Sequence, residues 1–245
     1  MATPVSRVTP PADGRRRTAV ATPTHRPAAN TQGILDGLAA DERRALLARM
    51  HRKRFAKGEV IFHEGDPGDT LHLIAKGHVS VQVTTPRGDH AILRVLGPGS
   101  LVGEHAAIAP APRSATVTAL DATETMTLDR DQFAALRAER PTVDRFLLEA
   151  AIGEVRRLSA ALLDALYLPV EQRIVRRLLE LAALYDPDET GVAVPISQTD
   201  LAELAGVARQ TTNKVLVAAQ TAGVIRLSRN RIEILDLDAL HQQAR

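Results

Sequence analysis

The chain contains no cysteine. Disulfides, thiolate metal sites, thiolate-held iron–sulfur clusters and cysteine nucleophiles are therefore excluded. The absence agrees with a cytoplasmic protein. Tryptophan is missing as well, and four Phe and two Tyr supply all the aromatic rings. So few rings argue against a surface built on stacked bases, the usual device of single-strand binders. No run approaches the roughly 20 apolar residues of a membrane span, and no signal-peptide core is present, so no membrane partner is expected. Neither charge sign dominates: 31 Lys and Arg face 29 Asp and Glu, a net charge of +2 too small to indicate a partner. Three enzyme signatures are also missing, the Gly-x-Ser-x-Gly elbow, His-Glu-x-x-His and the phosphate-binding P-loop, and no enzymatic activity is expected.

What remains is ordinary for a globular protein. Of 245 residues, 44% are hydrophobic and 24% charged, enough for one large domain or two modest ones with a real core. The first 32 or so residues stand apart. They are rich in Pro, Thr, Ala and Arg, have no hydrophobic period, and read as a disordered basic tail over 1–32. Its five prolines oppose the amphipathic helix of an organelle transit peptide.

Ile34 to Met50 has helical spacing at Leu35, Leu38, Leu46, Leu47 and Met50. From Arg54 to Arg130 the pattern changes to short β-rich runs, among them Val60-Ile61-Phe62, Val79-Ser80-Val81 and Thr116-Val117-Thr118, cut by Gly and Pro turns. Many short strands at near-regular spacing predict a barrel or jelly roll. A short helix follows over Gln132–Arg137, then a long one from about Thr142 to Leu168, with Pro141 at its start and Pro169 at its end. A second, helical domain begins near Val170, with a loop over Tyr185–Gly191.

Within the barrel, Gly103-Glu104 is followed nine residues later by Arg113-Ser114. The planar fork of Arg113 suits a phosphate, Ser114 adds a hydroxyl, and the Glu104 carboxylate can accept from a ribose hydroxyl. Glu104 and His105 are expected to be neighbours on a strand and to point to opposite faces, which excludes an acid–base pair. On the long helix, Ile152, Val155, Ser159, Leu162 and Leu166 alternate by three and four, a seam that suits a second copy of the chain or the helix's own barrel.

Residues 196–216 have the anatomy of a helix-turn-helix. Ser197 and Asp200 suit a capping box, Gly206 permits the turn, and Val207 with Val215 can lock the helices together. The second helix is expected to present Arg209, Gln210, Thr212, Asn213 and Lys214 to double-stranded DNA, with Ser197 at the start of the first helix contributing. Two strands around a Ser-Arg-Asn turn follow, a wing carrying Arg229 and Arg231. From 170 to 245, nine cations face ten acids, so attraction to DNA must be local rather than a matter of net charge.

Taken in order, Gly58-Glu59, Phe62 to Asp69, Gly77, Gly103-Glu104, Arg113-Ser114, the long helix and the Arg209–Lys214 segment resemble the cyclic-AMP receptor protein/FNR (Crp/Fnr) family of bacterial transcription regulators, over roughly residues 34 to 240. The resemblance implies an α+β chain: a cyclic-nucleotide-binding-like β jelly-roll barrel over 33–141, a long dimerisation helix over 142–168 and a C-terminal winged helix-turn-helix over 169–245. It implies a cytoplasmic homodimer whose ligand, cyclic AMP or a related cyclic nucleotide, switches DNA binding, with RNA polymerase as a further partner and no metal. Gly103, Glu104, Arg113 and Ser114 take the family's ribose and phosphate positions. Leu158 and Ser159 take the places of its adenine-contacting pair, usually Thr followed by Ser or Asn. Leu158 offers no hydrogen bond to the adenine amine, which leaves open a different ligand, or none with constitutive DNA binding. Gln210 replaces a Glu of the family's prototype and favours adenine over cytosine. A haem or metal sensor using His63, His72, His78 or His105 is a further alternative.

Overall fold

The computed structural model describes residues 39–244 apart from 87, 110, 186, 189 and 190. The basic segment 1–32 and the first residues of the helix expected from Ile34 lie outside the described residues.

Eight strands form two four-stranded antiparallel sheets. One has the order β1(His51–Phe55), β8(Thr123–Asp129), β3(Thr70–Lys76), β6(Leu101–Val102), and the other β2(Val60–Phe62), β7(Thr116–Ala119), β4(Val79–Thr84), β5(His90–Leu96). Ile74, Val79, Leu96, Val102 and Val117 pack between them as a buried cluster. The non-sequential order within each sheet is that of the expected jelly roll. Strand β1 was not expected. Its sequence, His-Arg-Lys-Arg-Phe, is almost wholly exposed, and it lies at a sheet edge, where charge is tolerated and discourages further pairing.

Helices α1(Ala40–Ala48) and α3(Arg130–Glu139) close one side of the barrel, where Leu46, Leu71, Leu128, Phe133 and Leu136 are buried together with Val143 and Leu147 of α4(Thr142–Tyr167). Beyond Leu147, α4 leaves the core. Leu148, Ile152, Val155, Leu158, Leu162, Leu163 and Leu166 are all exposed. A helix of this length spans about 39 Å.

Pro169 ends the helix, and Leu168 is extended before it, as a residue preceding proline prefers. The chain restarts in α5(Val170–Ala182), whose apolar stripe Ile174, Val175, Leu178 and Leu181 is buried. Three side chains reach back across the break, Arg177 lying 3.8 Å from the Asp164 carboxylate. Arg176 donates to the buried Asp164 at 2.7 Å, and Arg173 to the carbonyl of Ala165 at 3.1 Å.

The second domain packs α5, α6(Gln198–Ala205), α7(Arg209–Thr221) and α8(Leu237–Gln243) against a small sheet. The wing is larger than a hairpin. Strands β11(Ile225–Ser228) and β12(Arg231–Ile234) continue into β10(Gly191–Val194) and β9(Pro187–Asp188) in one antiparallel sheet. Part of the segment expected as a loop over Tyr185–Gly191 is thus strand. Its two- and four-residue pieces are too short to carry a period. The domain's core also takes in Ile92 and Val95 of β5, so barrel and head share one buried cluster.

Candidate ligand pocket and DNA-reading face

Gly103 ends β6 with φ +81° and starts a short helix, α2(Glu104–Ile108). This corrects the expected strand geometry at Glu104 and His105. Successive helical residues are about 100° apart rather than opposed, and His105 Nε2 stands 3.5 Å from Glu104 Oε1. Glycine is needed at 103 twice over: its φ is left-handed, and a Cβ would collide with the Arg113 guanidinium.

Arg113 is buried, although Ser114 beside it is exposed. Its backbone is clamped by the turn before β3: its N–H donates to Asp66 O at 2.9 Å, and its carbonyl accepts from Gly65 N at 2.8 Å. The guanidinium lies over the Phe62 ring, 4.2 Å from its centroid. Nη2 donates to the carbonyl of Thr70 at 2.6 Å and to its hydroxyl at 2.9 Å, and Nη1 donates to the carbonyl of Gly103 at 3.1 Å. Nε is buried with no acceptor among the described residues. Burial works against the charge, while Asp69, Asp66 and Glu104 favour it. The barrel therefore brings Gly103, Glu104, Arg113 and Ser114 to one place around a buried cation with a free donor. The donor set fits the phosphate of a cyclic nucleotide.

The long helix meets this region through a second charged group. Arg94 of β5 donates to Glu154 of α4 at 2.7 Å, and Arg157 holds the same carboxylate through two bonds of 2.7 and 2.9 Å. Burial opposes the Glu154 charge, but bonding from Arg157 and the charge of Arg94 hold its carboxyl below the usual range. Sequence reading missed Arg94, Glu154 and Thr70. One periodic signal existed for Glu154, which lies four residues before Leu158 on the same helix. Leu158 and Ser159 are both exposed, and the Ser159 hydroxyl donates to Val155 O at 2.9 Å. Among the described residues, no three His, Cys, Asp or Glu side chains gather as a metal centre would require.

In the head, Asp200 N donates to Ser197 Oγ at 3.0 Å and Ser197 N to Asp200 Oδ2 at 3.2 Å, the reciprocal capping box. Ser197 is thus committed to starting α6. Gly206, at φ +62°, makes the turn into α7. Arg209, Gln210, Asn213 and Lys214 lie exposed on α7. The amide of Asn213 donates to Gln198 Oε1 at 2.8 Å, so Gln198 orients it, a residue sequence reading had not singled out. Thr212 is a correction. It is fully buried, and its hydroxyl turns back to Ala208 O at 3.4 Å, so its side chain belongs to the core and not to the reading face. On the wing, Glu233 accepts from both Arg226 and Arg231 at 2.9 Å, whereas Arg229 sits exposed at the tip without an ion-pair partner among the described residues.

Known proteins share this arrangement. Residues 52–140 match the cyclic nucleotide-binding domain and residues 172–243 the Crp-like helix-turn-helix domain. The chain is 31% identical to a CRP-like cAMP-activated global transcriptional regulator of Mycobacterium tuberculosis, over 87% of this chain and 96% of the relative. It is 33% identical to a cyclic AMP receptor protein of Thermus thermophilus, over 86% and 96%. A solved CRP-family transcriptional regulator, also from Thermus thermophilus, superposes with a TM-score of 0.66 at 28% identity, covering 78% of this chain and 96% of that one. Barrel, long helix and reading head follow one another as in these relatives: the chain belongs to the cyclic-AMP receptor protein/FNR family and is a ligand-responsive, DNA-binding transcription regulator.

Proposed function

We propose that the chain works as a cytoplasmic, non-enzymatic homodimer joined along α4, switched by cyclic AMP or a related cyclic nucleotide in each barrel. Its two heads then read half-sites of double-stranded DNA about 34 Å apart, and RNA polymerase is the machinery it acts on. The domain limits 33–141, 142–168 and 169–245 describe this division of labour. The observation that carries the ligand reading is Arg113. A buried guanidinium whose Nε has no partner among the described residues, beside Glu104 and the exposed Ser114, calls for an anionic acceptor. The cyclic AMP named for the Mycobacterium and Thermus relatives supports the same choice. The exposed seam from Leu148 to Leu166 supports the dimer, since one protomer leaves it in water.

In this reading Arg113 and Ser114 bind the phosphate, Glu104 accepts from the ribose and Gly103 permits close approach. The base meets Leu158 and Ser159 of α4, so a ligand that fills the barrel also touches the dimer helix. Arg209, Gln210, Asn213 and Lys214 reach base edges and phosphates, Arg229 and Arg231 reach phosphates from the wing, and Ser197 contributes through the start of α6.

Two observations favour a second reading, a different ligand or none. Leu158 is apolar where an adenine amine needs an acceptor, and three of the Arg113 bonds already go to Thr70 and Gly103. Calorimetric titration with cyclic AMP and cyclic GMP, each followed by DNA binding, separates the two. The first reading requires heat of binding and tighter DNA binding with one of them. No heat from either, with DNA affinity unchanged in Arg113→Ala, would establish the second.

A further inference from the structure

His78 lies between β3 and β4, where the barrel touches the reading head. Its Nδ1 is 2.8 Å from Asp121 Oδ2, in the turn between β7 and β8, and its backbone N–H donates to Asp121 Oδ1 at 2.8 Å. On the other side of the ring, Nε2 is 3.1 Å from the carbonyl oxygen of Leu184, in the turn after α5. The Tyr185 ring packs on the imidazole with centroids 4.0 Å apart. Gly97 fits against the Cδ2–Nε2 edge of the ring, where a Cβ would stand 3.1 Å from His78 Cδ2. One imidazole thus joins the sensor barrel to the DNA head.

Both partners are obligate acceptors. A carboxylate and a peptide carbonyl have no proton to give, and a neutral imidazole has one N–H. Only the imidazolium can make both bonds. The neutral ring must aim a lone pair at the oxygen of Asp121 or of Leu184. We propose that the barrel–head contact is a proton-operated latch, closed when His78 carries a proton on both nitrogens and loosened when it loses one. The latch acts on how firmly the head is held to its barrel, and it depends on neither the identity of the pocket ligand nor the DNA sequence.

Other titratable groups at the junction play different parts. Burial works against the Asp121 charge, but the bonds from His78 hold its carboxyl below the usual range, so it stays a carboxylate. Burial pushes the Tyr185 phenol up, and it remains neutral. His90 on β5 and Glu203 on α6 interact across the same junction and form a separate candidate for any proton effect. The sign is fixed by geometry. Two acceptors face the ring only when the head is docked, so docking is expected to strengthen as pH falls through the range where histidine side chains change charge, about pH 8 to 5. For one linked proton the docking constant changes by up to about tenfold per pH unit.

The absence of cysteine makes the test direct. Cysteines introduced at the exposed Lys57 on the barrel and Gln242 on the head take a fluorescent donor and acceptor, and excess unlabelled chain restricts energy transfer to single protomers. The expected result is a docked fraction that falls from about pH 5 to about pH 8 with the slope of one proton. Asp121→Asn separates protonation from packing. Its side-chain amide can donate to a neutral Nδ1 while Nε2–H still donates to Leu184 O, so this variant should stay docked at every pH. His78→Gln should be less docked throughout, with thermal unfolding of the barrel confirming that it folds. A flat wild-type profile, or undocking of Asp121→Asn at every pH, would overturn the proposal. A wild-type slope retained in Asp121→Asn would do the same, and would assign the proton to His90 and Glu203.

Discussion

Arg94 and Glu154, sixty residues apart in sequence, meet at 2.7 Å and tie the barrel's β5 to the long helix. Arg157 shares the carboxylate, so the three side chains do not contribute equally. Removing Arg94 leaves Glu154 still paired, whereas removing Glu154 leaves two guanidiniums facing each other. We expect Arg94→Ala to cost about 1–2 kcal/mol in urea unfolding and Glu154→Ala more, about 2–3 kcal/mol. Equal losses would mean that Arg157 carries no share of the contact.

Arg113 and Leu158 test the two ends of the pocket separately. Arg113→Ala should abolish cyclic-nucleotide heat in calorimetry. Arg113→Lys keeps the charge but not the fork, and should weaken binding by about tenfold or more. Leu158→Thr restores a hydroxyl at the base end and should tighten cyclic AMP by about tenfold while leaving DNA affinity of the ligand-free protein unchanged. A weaker isotherm in Leu158→Thr would place the base elsewhere.

The reading face divides by what each cation reaches. Arg209→Ala should relax sequence preference in competition binding at fixed salt. Arg229→Ala should weaken all sequences alike and lower the salt slope by about one. Thr212→Val keeps the shape of a buried side chain and should leave DNA affinity within about twofold. A large loss there would return Thr212 to the interface.

His72 should govern part of the acid sensitivity. Its burial, with the Arg113 charge alongside, pushes the imidazole down to about 4. The unfolded chain then takes up this proton before the folded one does. The stability is complete above the ordinary imidazole value of about 6.5 and is lost as pH falls toward about 4, an effect on the order of 3 kcal/mol. Urea titrations of the wild type and His72→Gln across that window should differ in slope, with the variant flatter. Parallel curves would show that carboxylates alone set the acid limit.

The barrel and the helix-turn-helix were legible because their residues interact over short stretches of chain: alternation marks Val79–Val83, and Ser197, Asp200 and Gly206 mark a helix pair by capping and turn chemistry. The charged β1 was not, since an edge strand with no buried face carries no apolar alternation. Arg113 was recognisable as a candidate phosphate ligand, but its bonds to Thr70, forty-three residues away, depend on the tertiary fold, which no local pattern announces. Thr212 is a different case. It shares a buried face with Leu216 and Ala219, spaced by four and three, a period that points to the core although its polarity had suggested an interface.

The break at Leu168–Pro169 has a mechanical consequence. Arg173 and Arg176, three apart on α5, lie on one edge of that helix, and both reach back to neighbouring positions on α4. Fastened along one edge, the joint by itself favours a door-like swing over a swivel, while the shared core and His78 hold the head to the barrel. In the proposed dimer, two such doors would have to open to matching angles for the heads to span a two-fold operator.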